Sequence, residues 1–266
     1  MEAQIISWLN KQLVESRQEG FVVGVSGGID SAVVSTLCAM TRLPTRCLMM
    51  SIHQNKSHIE RAYEHVVQLR DRYPNVLYDD INLTHTFESL RSALPADVKE
   101  DELAMANTRS RLRMTTLYSY ANAMKRLVVG TGNKVEDYGV MFFTKYGDGG
   151  VDLSPIGNLT KTQVYELAEK LKVPEPIRKA APSDGLWDDG RTDEEQLGAT
   201  YVLLEKAMEI CEALGIENRK DLDALKSKGL ISEDLLTDAL DVYLTLHEKG
   251  RHKMAPIPVC PINPNE

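Results

Sequence analysis

The run Gly24-Val25-Ser26-Gly27-Gly28-Ile29-Asp30-Ser31 carries the residue types and spacing with the clearest chemical meaning in this chain. Two adjacent glycines let main-chain N–H groups come close to an anion, and Ser26 and Ser31 can add hydroxyl donors. An apolar segment precedes the run and a helix-forming one follows it, so its amides belong at a helix N-terminus, where phosphate binds readily. No GK[ST] follows, so this is not a Walker A loop, and it lacks the GxGxxG of dinucleotide folds. Gly130-Thr131-Gly132 fails the second pattern too, because Val135 stands where the third glycine belongs. Asp30 needs its own explanation. A carboxylate here repels phosphate unless a cation bridges the two, and Mg2+ is a hard, oxygen-seeking cation suited to that. The plainer alternative is a helix cap after a tight turn; the complete SGGxDS string after a buried strand favours the phosphate loop.

Hydrophobic spacing identifies the elements that must hold this loop. Residues 21–25 (FVVGV) read as a strand buried on both faces, followed by a helix over 31–40. Further strands are expected at 45–52, 76–81 and 126–129, with helices at 57–71 and 102–125 between them. The 57–71 helix would turn Ile59, Ala62, Tyr63, Val66 and either Leu69 or Val67 inward. Ile5, Ile6, Leu9 and Leu13 mark an amphipathic helix at the N-terminus. The alternation predicts an α/β fold with a Rossmann-like, doubly wound parallel sheet, flanking helices and right-handed crossovers. Residues 130–159 lose periodicity and gain glycine, which predicts a functional loop ordered by Phe142, Phe143, Tyr146 and Ile156. A helix returns at 161–171, and 181–191 is a second loop. Thr192 and Glu195 form a capping box opening a helix of about twenty residues. Helices near 219–227 and 232–247 complete a helical C-terminal third. Residues 252–266 form a proline-rich, partly mobile tail on what reads as one domain over 1–266.

Composition narrows the function. Thirty-one Lys+Arg against thirty-nine Asp+Glu give a net charge of −8, which disfavours a protein that coats nucleic acid or anionic membrane through its overall field. Cys38, Cys47, Cys211 and Cys260 form neither a CxxC pair nor a zinc spacing, which predicts free thiols in a reducing compartment. With no signal peptide and no apolar run of the roughly 20 residues that span a bilayer, the expected location is cytoplasmic. No Ser/His/Asp or Cys/His arrangement supplies a protein nucleophile. His53, His58, His65, His85 and His247 read as structural or surface residues.

SGGxDS resembles the pyrophosphate loop of the ATP pyrophosphatase superfamily, whose members cleave ATP between the α and β phosphates and adenylate a substrate. A second series distinguishes among them: Gly130-Thr131-Gly132-Asn133-Lys134-Val135-Glu136, then FTKYGDGG ending at Gly150, Lys161-Thr162-Gln163, Ala181-Pro182-Ser183 and Leu186-Trp187-Asp188-Asp189-Gly190. In this order the motifs resemble ammonia-dependent NAD synthetases, over about residues 20 to 253. The resemblance implies that Gly24, Val25, Ser26, Gly27, Gly28, Ile29, Asp30 and Ser31 bind ATP, with Thr131, Lys161 and Ser183 as further ATP contacts. It implies that Asp30 and Glu136 hold Mg2+. It places Arg111, Lys145, Asp152, His252 and Lys253 on deamido-NAD, and it implies a homodimer with only small-molecule substrates: ATP, deamido-NAD and ammonia. The chemistry needs these residue types independently, since two polyanions must share one cleft. The nicotinate carboxylate would attack the α-phosphorus and release pyrophosphate; ammonia would then displace AMP from the acyl adenylate. Two other readings compete: a different amidating or thiolating adenylating enzyme, and a nucleotide sensor without turnover, against which the retained Asp30 and Glu136 speak.

Finer expectations follow. Helical geometry puts Arg109 and Arg113 on one side of their helix and Arg111 on another. Ile29 replaces a glutamine usual in the family loop and should point away from phosphate. Phe142 and Phe143 should anchor their loop by packing. With the loop starting at Gly24 and the last matching pair at His252-Lys253, the 266 residues leave no room for an amidotransferase domain, so free ammonia is the expected nitrogen donor.

Overall fold

The computed structural model describes residues 1–187, 190–231 and 237–262. Helix α1 (Glu2–Ser16) buries Leu9 and Leu13, with Ile5 and Ile6 packed beside them. Strand β1 (Phe21–Gly24), helix α2 (Ile29–Met40), strand β2 (Thr45–Ser51), helix α3 (Lys56–Arg72) and strand β3 (Val76–Asn82) follow in alternation. Two helices without a clear sequence signal, α4 (Thr84–Ala93) and α5 (Ala96–Lys99), lead to the long α6 (Glu102–Met124) and strand β4 (Leu127–Val129).

The four strands are parallel in the order β3-β2-β1-β4. Alternation along β1 divides the core. Val22 faces one side, where Leu48, Met50, Val128 and Ala121 of α6 meet it. Phe21 and Val23 face the other, toward α1 and α2. Beside them, Cys47 and Met49 of β2 pack on α3. Helices therefore cover both faces, as the doubly wound reading requires. On α3 the inward residues include Ala62, His65, Val66 and Leu69; Tyr63, expected inside, is exposed and packs edge-on against Tyr78.

After β4 the glycine-rich stretch is irregular but bonded. Gly130 N–H donates to the Leu153 carbonyl, and the Asp152 and Leu153 amides donate to Val128. Within it, Lys134–Gly139 forms a π-helical turn capped by Asn133. Helix α7 (Lys161–Lys170) starts on a Thr160–Gln163 capping box, and α8 (Glu175–Arg178) is one short turn. The Thr192–Glu195 capping box is present, but the single long helix expected after it is broken. Gly198 adopts φ 74°, which separates α9 (Asp193–Leu197) from α10 (Tyr201–Leu214). Helices α11 (Arg219–Ser227) and α12 (Thr237–Gly250) close the chain, ending in a short 3-10 turn at Arg251–Lys253. The first residues of the last expected helix, 232–236, lie outside the described residues, as do Asp188 and Asp189 of the second loop and 263–266 of the tail. Residues 254–262 run exposed.

The C-terminal helices form a second core, with Leu204, Met208, Leu240 and Leu244 around Val135 and Val140 of the π turn. Cys38, Cys47 and Cys211 are buried free thiols, and Cys260 is exposed. Among the described residues no helix is long and apolar enough to cross a membrane.

Candidate active site

A cavity of about 650 Å³ opens at the C-terminal ends of β1, β2 and β4. Crevices in this position bind ligands in open parallel sheets. Its floor is the loop from Gly24 to Ser31, all of which lines it. Gly27 has φ 85°, and a Cβ there would collide with the His58 carbonyl, so only glycine lets the loop pass α3 this closely. Ser26 and Ser31 stiffen the turn. The Ser26 amide donates to Ser31 Oγ at 3.2 Å, and Ser31 Oγ donates to the Gly28 carbonyl at 3.0 Å. Ile29, at the start of α2, is buried in the core cluster beside Ala32 and Val33.

Across from the loop, residues far apart in sequence converge. Lys161, 3% exposed at the start of α7, donates to Asp30 Oδ2 at 2.7 Å and to Glu136 Oε1 at 2.9 Å. Asn133 donates through its side-chain amide to Asp30 Oδ1 at 3.2 Å, while its Oδ1 accepts from the Val135 and Glu136 amides. Tyr201 of α10 donates to Glu136 Oε1 at 2.5 Å. Burial, helped by the Glu136 charge, outweighs Lys161 and holds Asp30 above its ordinary pKa. Burial opposes ionisation of Glu136 as well, but the Lys161 ammonium and the Tyr201 and Lys161 hydrogen bonds outweigh it and hold Glu136 below the usual carboxylate range. Burial works against the charge on Lys161, yet the two carboxylates win and raise its pKa. A cation position between two carboxylates is thus built into the fold, and a lysine sits in it. Lys161, expected as a phosphate contact, lines the cavity with its ammonium paired to the two carboxylates.

The donor set suits a hard divalent cation shared with phosphate. Mg2+ is commonly held by one or two carboxylates plus substrate phosphate oxygens rather than by an all-protein cage. Asp30 and Glu136 provide that pair, and no group of three or more metal-ligating side chains occurs among the described residues.

At the far rim the loop after β4 meets the C-terminal turn. Lys253 donates to the Met141 and Phe143 carbonyls at 2.9 and 2.7 Å and lies over the Phe143 ring. Lys145 donates to the His252 carbonyl at 3.2 Å, and Arg111 to the Lys145 carbonyl at 3.4 Å. Arg111, Lys145, His252 and Lys253 all line the cavity, together with Thr131 and Ser183. Asp152 does not join them. It is exposed, with Oδ2 accepting from the Val128 amide at 2.8 Å and Oδ1 from the Tyr118 hydroxyl at 3.0 Å, so here it staples the loop to β4. Arg113 is half-buried, donating to the Met50 carbonyl and to Gln54 Oε1, and desolvation pulls it down to about 10. Arg109, on the same side of α6, is buried over the Phe87 ring and donates to the Leu186 carbonyl. The split between Arg111 and the other two arginines is therefore as helical geometry requires. Phe142 packs on the C-terminal core as an anchor, as expected.

Several residues around the site carry no signal in the sequence. Asn133 bonds directly to Asp30 of the phosphate loop and Tyr201 bonds to Glu136, and neither residue type signals such a role. His58, expected as a structural or surface residue, lines the cavity. Asp137 and Asp148 also line it; burial, then the charges of Asp148, Glu136 and Asp30, raises Asp137 well above its ordinary value. Asp148 is held by Ser110 Oγ at 2.6 Å and by the Thr144 amide at 3.0 Å. The GDGG spacing around Asp148 was a signal that could have found it.

Residues 1–254 match the NAD synthase family. The chain is 43% identical to an NH3-dependent NAD+ synthetase of Carboxydothermus hydrogenoformans, covering 97% of this chain and 96% of the relative. It is 34% identical to the enzyme of that name from Methanosarcina acetivorans, with 96% of each covered. Among solved structures it is similar to the NMN synthetase of Francisella tularensis, at 31% identity and a TM-score of 0.75, covering 100% of this chain and 97% of that one.

Proposed function

From the premise that the chain belongs to the NAD synthase family, we propose that this cavity is where ATP and deamido-NAD are brought together. The chain is a ligase that uses ATP to amidate deamido-NAD to NAD with ammonia. The observation that supports the site assignment is that Lys161 joins Asp30 of the phosphate loop to Glu136 in the wall of one cavity.

In this reading the amides of residues 26–31 and the N-terminus of α2 bind the β and γ phosphates of ATP, with Thr131 and Ser183 beside them. Asp30 and Glu136 hold Mg2+, which supplies neutralisation of charge on the phosphates. Lys161 keeps the two carboxylates at a fixed separation. The rim group of Arg111, Lys145, His252 and Lys253 orients the acceptor so that its carboxylate oxygen faces the α-phosphorus. That oxygen bonds to phosphorus as the bond to the pyrophosphate leaving group breaks. Ammonia then adds to the acyl carbon, and AMP departs with the former carboxylate oxygen. Positioning and fixed charge carry the catalysis, with no covalent enzyme intermediate. Asp152 is kept out of the substrate set in favour of its loop-stapling role.

The whole chain acts as one unit in this proposal, in a cytoplasmic setting that suits the buried thiols, and the working form is a homodimer. Sedimentation at the mass of two chains supports the last point; a single-chain mass contradicts it. The activity test is product analysis with ATP, Mg2+ and ammonium. AMP and pyrophosphate should form with deamido-NAD and fail to form without it. Because one similar structure is an NMN synthetase, nicotinic acid mononucleotide belongs in the same assay. Turnover of the mononucleotide but not of deamido-NAD would reassign the acceptor.

A further inference from the structure

One face of α10 reaches both halves of the cation cluster. Tyr201, 4% exposed, directs its hydroxyl to Glu136 Oε1 at 2.5 Å and to Asp193 Oδ2 at 3.3 Å, and its ring centre lies 4.7 Å from the Lys161 ammonium. One turn later, Glu205 accepts from the Thr162 amide at 2.8 Å and from Thr162 Oγ1 at 2.7 Å, which fixes the first turn of α7 where Lys161 resides. Residues four apart on a helix share a face, so a single rigid surface sets both Glu136 and Lys161. The Glu136 carboxylate has two oxygens, and the one that Tyr201 and Lys161 occupy leaves the other as the oxygen to face an incoming cation.

We propose that Tyr201 is a positioning residue that fixes the Glu136 carboxylate for divalent-cation binding, and that α10 thereby ties the C-terminal helices to the phosphate loop. The inference rests on the reading of Asp30 and Glu136 as the cation-holding pair. Groups that hydrogen-bond to metal-ligating side chains orient them, and their loss commonly weakens metal binding about 10- to 100-fold.

The test is Mn2+ binding to the full chain with a non-hydrolysable α,β-methylene ATP, followed by electron paramagnetic resonance. Tyr201→Phe, which keeps the buried ring, should weaken Mn2+ binding about 10-fold while the melting temperature stays close to that of the parent. In a Glu136→Gln background the same substitution should change Mn2+ binding little, because the group it positions is already altered. Equal Mn2+ affinity of Tyr201→Phe and the parent, with Asp30→Asn still losing it, overturns the role of Tyr201 alone. A similar loss from Tyr201→Phe in both backgrounds also overturns it, since it marks a general packing effect. Absence of nucleotide-dependent Mn2+ binding in the parent overturns the cation reading together with this inference.

Discussion

Lys161 shows how much of this site depends on a pairing that linear sequence does not display. Its position in a Lys-Thr-Gln motif marks it as an ATP contact, but its ammonium lies between Asp30 and Glu136, residues 131 and 25 positions away in the chain. An ammonium and two carboxylates in a buried site are mutually dependent, because removing one member leaves uncompensated charge. Asp30→Asn or Glu136→Gln should lower turnover by about 100-fold or more while circular dichroism reports a folded chain, since fixed charge around phosphates commonly carries effects of that size. Near-parental turnover in either variant refutes the assignment. Lys145→Ala should mainly raise the KM for deamido-NAD, because Lys145 sits on the rim beside His252 rather than at the phosphate loop; an unchanged KM with full activity removes it from the site. The string SGGxDS and the split of the three arginines on α6 were legible because each depends on local spacing, whereas the rim residues Arg111, Lys145, His252 and Lys253 were marked only by the family resemblance. Asn133, Tyr201 and Asp137 were not, because their places depend on which distant side chain the fold sets beside them. Asp152 shows what a motif position alone does not display: its carboxylate accepts from the Val128 amide and the Tyr118 hydroxyl.

At the scale of elements, periodicity located all four strands and most of the helices, because buried strands and amphipathic faces leave a repeating apolar signal. It failed where the signal is local geometry. The π turn at Lys134–Gly139 lies within a glycine-rich stretch and is held by Asn133 and by packing on the C-terminal core. The break at Gly198 falls inside an otherwise helical pattern. The junction of β1, α2 and α3 makes two predictions. Gly27→Ala should destabilise the chain by about 1–2 kcal/mol, the ordinary cost of left-handed backbone in a residue with a side chain. It should also weaken ATP binding, because the His58 carbonyl blocks the added methyl group. Denaturant titration and nucleotide binding check the two effects; unchanged values in both contradict the loop geometry. On α3, His65 bonds Ser35 of α2 at 2.8 Å, and burial, with Arg72 nearby, lowers it to about 4. The folded state therefore binds fewer protons than the unfolded one between pH 6.5 and 4. The stability from neutral His65 is complete above pH 6.5 and falls with acidification, by about 3 kcal/mol on reaching pH 4. His65→Gln should flatten that part of a pH–stability profile; a profile of unchanged slope contradicts the assignment.

At the scale of the whole molecule, the net charge of −8 and the proposed polyanionic substrates are reconciled by geography. Lys161, Arg113, Arg111, Lys145 and Lys253 converge on one cavity from four separate stretches of chain, among acidic residues that line it too, Asp30, Glu136, Asp137 and Asp148. That convergence requires the loop after β4 to be pinned at both ends, by Asp152 to the sheet and by Lys253 to the C-terminal turn. The central claim is that this single cavity first adenylates a carboxylate and then exchanges AMP for ammonia. The most direct measurement starts from deamido-NAD carrying oxygen-18 in both nicotinate carboxylate oxygens, with ATP, Mg2+ and ammonium, and follows the label by mass spectrometry. The account predicts one labelled oxygen in AMP, none in pyrophosphate and one retained in the amide of NAD. Label in pyrophosphate, release of ADP and phosphate in place of AMP, or AMP free of label would contradict it.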